Sequence, residues 1–143
     1  MIYKSKDEFR GRPYLILDTT ELTISKLDGR AVEVKTTFGW DDMKEYDVEE
    51  IKSEALKYHL HYLDDNNSER LQDLVDSRRL VRYLKDLEAD VEHEVHKQFV
   101  HQQETNKEYL KALNDGDSMK MYQLEKTFDM LIRHNVYKEM LYS

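Results

Sequence analysis

A single stripe of apolar residues constrains this chain more than anything else in it. Leu80, Leu84, Leu87, Val91, Val95, Phe99, Tyr109 and Leu113 recur at helical intervals, with the polar Gln102 and Asn106 completing the series. Steps of three and four residues place such a series along one side of an α-helix. Unbroken from Arg78, that helix would run for roughly 36 residues, or about 54 Å. Asn114-Asp115-Gly116-Asp117 then supplies a stop, a turn and a new cap. Beyond it Met121, Leu124, Phe128, Leu131 or Ile132, Asn135 or Val136, and Met140 repeat the stripe. Two such stripes joined by a short turn hide themselves against each other, so residues 78–143 are expected to form a long antiparallel helical hairpin.

The first third of the chain has a different period. Pro13 to Asp18 is a short apolar run, and Leu22 to Lys26 and Ala31 to Thr36 alternate with β-branched residues, the pattern of half-buried strands. Asp28-Gly29 lies between the last two, and a glycine there tolerates the positive φ of a tight hairpin turn. The expectation is a small antiparallel sheet with a hairpin from Leu22–Lys26 to Ala31–Thr36. A lone hairpin is marginal in water, so the sheet must lie on a helix, with Trp40 as its anchoring aromatic.

Asp47-Val48-Glu49-Glu50 has the residue types of a capping-box variant, which predicts a helix from Asp47 to about Leu63, its inner side carrying Val48, Ile51, Ala55, Tyr58 or His59, and Tyr62. Asp64-Asp65-Asn66-Asn67 ends it, and Ser68 opens a shorter helix through Leu71, Leu74 and Val75 that breaks at Asp76-Ser77. The fold class expected is therefore α+β: a small N-terminal antiparallel sheet, then mostly helix. At 143 residues the chain is read as one domain, with a β-rich segment 1–40, connecting helices 47–77 and the hairpin 78–143. No apolar run spans a bilayer and the first residues lead into charge, so the expected location is cytoplasmic. With no cysteine in the chain, disulfides, thiolate metal sites and cysteine nucleophiles are excluded.

The net charge of −8 is unevenly spread. Residues 39–67 carry −6 of it, while residues 1–38 sum to +1 and residues 116–143 to zero. Asp41, Asp42, Glu45, Asp47, Glu49, Glu50 and Glu54 make a field that repels phosphate and attracts basic surfaces. The one basic cluster, Arg78, Arg79, Arg82 and Lys85, is read as helical; it suits phosphate contact but more often such a group balances neighbouring acids.

Signs of catalysis are missing. There is no glycine-rich phosphate loop and no Gly-x-Ser-x-Gly elbow, and no carboxylate is marked as a raised-pKa acid. Asp90, Glu92, His93, Glu94, His96 and His101 share the long helix, with His134 returning toward His96. The histidines of His93-Glu94-Val95-His96 stand three apart rather than the four of a zinc-protease helix, so a solvated charged face is the preferred reading over a metal site. Likewise Tyr58-His59-Leu60-His61-Tyr62 is read as core aromatics with surface histidines. No catalytic residue, metal ligand or cofactor is assigned.

Leu80-Val81-Arg82-Tyr83-Leu84-Lys85-Asp86-Leu87, Glu108-Tyr109-Leu110-Lys111-Ala112 with Asn114, Met121, and the closing Glu139-Met140-Leu141-Tyr142 resemble the TnpV group of transposon-encoded helical proteins from Gram-positive bacteria. The likeness covers the C-terminal half; the β-rich segment has no counterpart there, and Asn114 to Ser118 reads as an insertion. It implies carriage on a mobile element and transfers no catalytic residue. Charge and context together lead to an expected non-enzymatic interaction protein, an inhibitor of anti-CRISPR or other anti-defence type. Asp41, Asp42, Glu45, Asp47, Glu49, Glu50 and Glu54, with Glu88, Asp90, Glu92 and Glu94, would imitate a phosphate row for a protein with a basic nucleic-acid-binding cleft such as a Cas nuclease. The alternatives are a DNA-binding accessory protein of a transposon, or a histidine and carboxylate metalloprotein.

Overall fold

The computed structural model describes residues 1–27, 31–36 and 39–142, giving residues 31–36 and 39–44 as backbone pairing only. The strands run β1 (Ile2–Lys4), β2 (Glu8–Phe9), β3 (Arg12–Pro13), β4 (Leu15–Asp18), β5 (Thr23–Lys26), β6 (Ala31–Thr36), β7 (Gly39–Lys44) and β8 (Asp47–Glu50). The helices follow as α1 (Glu54–Asn66), α2 (Ser68–Asp76), α3 (Leu80–Thr105), α4 (Lys107–Asp115) and α5 (Ser118–Met140). The α+β class expected from the two periodicities is what forms. The chain groups into two compact units, Met1–Lys85 and Asp86–Ser143.

In the first unit an antiparallel sheet has the order β1-β4-β5-β8. Leu17 is the cross-strand partner of Tyr3 on one side and of Ile24 on the other, and all three are buried, so they form the inner row of the sheet. Helix α2 packs on β1 and β4, and Ala55, Leu56, Leu60, Leu63, Leu71, Val75, Leu80 and Leu84 from the helices are buried with that row. Two polar ties close the layer at its edge: the Tyr3 hydroxyl donates to Asp64 Oδ1 at 2.5 Å, and the Thr19 hydroxyl lies 3.0 Å from Asp64 Oδ2. Burial and the Asp64 carboxylate together push the Tyr3 hydroxyl well above the usual phenol range. The β4–β5 loop is pinned by Asp18, whose Oδ1 accepts from the backbone of Thr20 and Glu21 at 2.9 and 3.1 Å.

Several expectations are corrected here. The hairpin from Leu22–Lys26 to Ala31–Thr36 does not form: β5 pairs with β4 and β8, while β6 pairs with β7 in a separate ladder. The Asp28-Gly29 turn and the Trp40 side chain lie outside the described residues. A tight hairpin occurs instead at Phe9-Arg10-Gly11-Arg12, where Arg10 (φ 53°) and Gly11 (φ 77°) both take the left-handed region between β2 and β3. Asp47-Val48-Glu49-Glu50 is strand rather than a helix start; α1 begins at Glu54, capped by the Ser53 side chain, and runs past Leu63 to Asn66. Nonlocal pairing outweighs the capping pattern, because Asp47 to Glu50 complete a ladder with Lys26 to Thr23. His59 is 1% exposed and Tyr58 largely exposed, the reverse of the expected order. The His59 ring Nε2 lies 2.7 Å from the Tyr83 hydroxyl, a bond that satisfies the buried imidazole.

In the second unit the long helix is not continuous. It breaks at Asn106, whose extended backbone and side chain cap α4 by accepting from Tyr109 N at 3.0 Å. Gly116 then adopts φ 69°, Asp117 N reaches Ala112 O and Gly116 N reaches Leu113 O, a Schellman closure, and the Asp117 side chain caps α5. The antiparallel return is as the stripes require: Phe128 of α5 meets Phe99 of α3 edge-on at 6.3 Å and Tyr109 of α4 at 5.9 Å. Val91, Val95, Ala112, Ile132 and Val136 are buried in this unit as well. Among the described residues no helix is long and apolar enough to cross a membrane.

Candidate functional site

The acidic stretch is built around strand β8. The approach to it is anchored by Tyr46, whose hydroxyl donates to Pro13 O at 2.6 Å and whose ring carries the Arg12 guanidinium at 4.8 Å. Pairing with β5 sets Asp47 opposite Lys26, Val48 opposite Ser25, Glu49 opposite Ile24 and Glu50 opposite Thr23. Asp47 and Glu49 therefore sit on one side of the sheet, and Val48 and Glu50 on the other. All four are exposed, and β8 is the outermost strand of the sheet order, with Asp47 and Glu49 on the face that carries Ile24, and Glu50 on the opposite one.

Glu45 and Glu54, which flank the strand, are exposed too. Glu49 pairs with Lys26 at 3.7 Å, and Glu54 Oε1 accepts from the Tyr58 hydroxyl at 2.8 Å. Among the described residues no cation stands within ion-pair distance of Glu45, Asp47 or Glu50. Asp47 and Glu49 share a face about 7 Å apart, roughly twice the ~3.4 Å between phosphates along a DNA strand, and Glu50 projects from the opposite face. Asp41 and Asp42 fall in β7 by their backbone, opposite Val34 and Glu33, and their side chains lie outside the described residues.

The other expected carboxylates belong to α3 in the second unit. Glu88 and Asp90 are exposed, but Glu92 is engaged: Arg133 forks onto it with Nη1–Oε1 2.7 Å and Nη2–Oε2 3.2 Å, while its Nε holds Asp129 at 3.0 Å. These hydrogen bonds hold the Glu92 carboxyl below the usual range, against a smaller opposing effect of burial. Glu94 is half-buried and accepts from Gln98 at 2.8 Å. At the far end of this unit Gln103, Tyr109 and Glu125 share hydrogen bonds, and the bond from its hydroxyl to Glu125 raises the Tyr109 pKa. The histidines His93, His96, His101 and His134 are exposed, and among the described residues no group of three or more His, Asp or Glu is arranged to hold a metal ion.

The basic cluster is not a helical face throughout. Arg78 and Arg79 precede α3, and only Arg82 and Lys85 are in the helix. Arg78 N reaches Val75 O and Arg79 N reaches Leu74 O, so these two residues close α2 by a Schellman motif with Arg78 at φ 58°. The backbone there suits glycine, and no glycine in Asp76-Ser77-Arg78-Arg79 announces the turn. Comparison of the chain with protein-family models, curated proteins and solved structures found no match.

Proposed function

We propose that this chain is a non-enzymatic interaction protein that engages a basic, nucleic-acid-binding partner through the acidic edge strand β8 and its flanks, acting as an inhibitor of anti-defence type. The observation that carries the reading is the combination at β8. An outermost strand exposes Asp47, Glu49 and Glu50 across its two faces, with Glu45 and Glu54 exposed beside it, so that the edge carries a dense negative field. Glu88 and Asp90 of α3 offer further exposed acid, whereas Glu92 already holds Arg133. Carboxylates on a strand are pre-ordered, so a basic cleft meets them without the cost of ordering a loop. The mobile-element setting rests on the resemblance of the Leu80–Tyr142 stripes to the TnpV group, and an RNA-guided nuclease is a natural target because its channel is basic.

The test uses purified full-length chain with guide-loaded Cas nucleases and a duplex target. The expected result is a stable complex and slowed cleavage. The variant Asp47→Lys/Glu49→Lys/Glu50→Lys, altered only at exposed positions, should keep its circular dichroism and lose at least about tenfold in affinity, since rim charges in complementary interfaces act through the field they share. Full inhibition by the folded triple variant removes β8 from the mechanism; no complex and no slowing by the wild type removes the inhibitor reading.

A further inference from the structure

A pocket of about 180 Å³ opens on the first unit, lined by Tyr14, Leu15, Lys26, Arg78 and Val81. Its walls divide by chemistry. Leu15, Val81 and the Tyr14 ring are apolar, and Lys26 and Arg78 supply two positive charges in a chain whose net charge is −8. Val81 stands in the first turn of α3. That space is enough to seat part of a small organic molecule.

Both cations hold exchangeable partners. Arg78 meets Asp7 at 3.2 Å and Lys26 meets Glu49 at 3.7 Å, each with a carboxylate whose side chain is more than half exposed. Pairs of this kind contribute little and are readily replaced by another anion. The guanidinium lies 3.9 Å from the centroid of the Tyr14 ring, and the Phe9 ring is 6.4 Å from Tyr14.

The backbone at Arg78 points the same way. The chain closes α4 with the same Schellman geometry at Gly116, where glycine takes φ 69° without strain. At the end of α2 an arginine takes φ 58° instead. A residue held where glycine is favoured marks a place where the side chain matters more than the strain.

We infer that the pocket bounded by Tyr14, Leu15, Lys26, Arg78 and Val81 is a binding site for a small organic oxyanion, an apolar body carrying one carboxylate or phosphate group. The anion takes the place of Asp7 on the Arg78 fork and of Glu49 on Lys26, and the body lies against Leu15, Val81 and the Tyr14 ring.

The experiment is a two-dimensional amide NMR titration of the full chain at fixed ionic strength with benzoate, phenyl phosphate, inorganic phosphate and benzyl alcohol. Saturable shifts confined to Tyr14, Leu15, Lys26, Arg78 and Val81 are expected with benzoate or phenyl phosphate, the two arms distinguishing a carboxylate from a phosphate head. Inorganic phosphate and benzyl alcohol should each bind at least about tenfold more weakly, since each satisfies one half of the pocket. Arg78→Gly, which keeps a backbone-compatible residue, and Lys26→Met, which keeps the apolar stem, should each fold and each weaken binding about tenfold. Shifts that stay linear, that inorganic phosphate or benzyl alcohol matches, or that persist unchanged in folded Arg78→Gly overturn the site.

Discussion

Arg78 sits at the same step of the same helix-closing motif as Gly116, yet with a side chain that a left-handed backbone disfavours. The side chain recovers part of that cost through its contacts with Tyr14 and Asp7. Two substitutions separate the contributions. Arg78→Ala keeps the strain and loses the contacts, so it should destabilise the protein by about 1 kcal/mol. Arg78→Gly loses the same contacts but relieves the strain, and should be more stable than Arg78→Ala by about 1 kcal/mol in urea denaturation. Equal stabilities would mean that the backbone is unstrained.

Glu92 offers a second residue-scale expectation. Its folded pKa is depressed by the Arg133 fork, so its contribution is fully present above the unfolded carboxylate value of about 4.3 and is lost as pH falls through that value toward the folded one. The Glu92 side chain is half exposed, which limits the effect to about 1 kcal/mol. Wild type minus Glu92→Gln, measured by denaturation from pH 7 to pH 3, should be constant at the upper end and shrink below about pH 4. Neither feature is readable from the residues alone. Ser77-Arg78-Arg79 carries no glycine to announce a positive φ, and the partner of Glu92 lies 41 positions away.

At the scale of elements, the helical stripes were legible and the strand partners were not. Leu80 to Leu87 and Met121 to Met140 carry their periodicity locally, and Asn114 to Asp117 carry turn and caps within four residues. The break at Asn106 was within reach: a polar residue with a capping side chain stood in the stripe, where continuity of the period argued the other way. Asn106→Ala should remove the bond to Tyr109 N and cost about 1 kcal/mol in thermal or chemical unfolding. A negligible change would show that the break is set by packing rather than by the cap. At Asp47 to Glu50 the local pattern was misleading, since acid and capping types suit a helix start equally well. Only the availability of Thr23 to Lys26 as a ladder partner selects the strand.

At the scale of the whole molecule, each unit has its own apolar core, one beneath the sheet and one between α3, α4 and α5. Phe128 joins the three helices of the second through Phe99 and Tyr109. Its truncation, Phe128→Ala, should cost about 3–5 kcal/mol. The check is loss of amide hydrogen-exchange protection in α4 and α5 at conditions where the wild type stays protected.

The eleven candidate carboxylates show the same division between what is local and what is not. Charge density along the chain pointed to residues 41–54 as the acidic segment, and Glu45, Asp47, Glu49, Glu50 and Glu54 are indeed exposed. Which acids stay available depends on partners remote in sequence, as Arg133 on Glu92 and Lys26 on Glu49 demonstrate.

Residues alone were enough for the stripes of α3 and α5, the turn and caps at Asn114 to Asp117 and the antiparallel return, because hydrogen bonds and side-chain contacts in helices and turns join residues within about five positions; the start of α1 and the break at Asn106 were missed. Contacts across the fold set the sheet order, the burial of His59 and the pocket beside Arg78. Each of these is settled by contacts between segments far apart in the chain, whose free energy no local pattern carries.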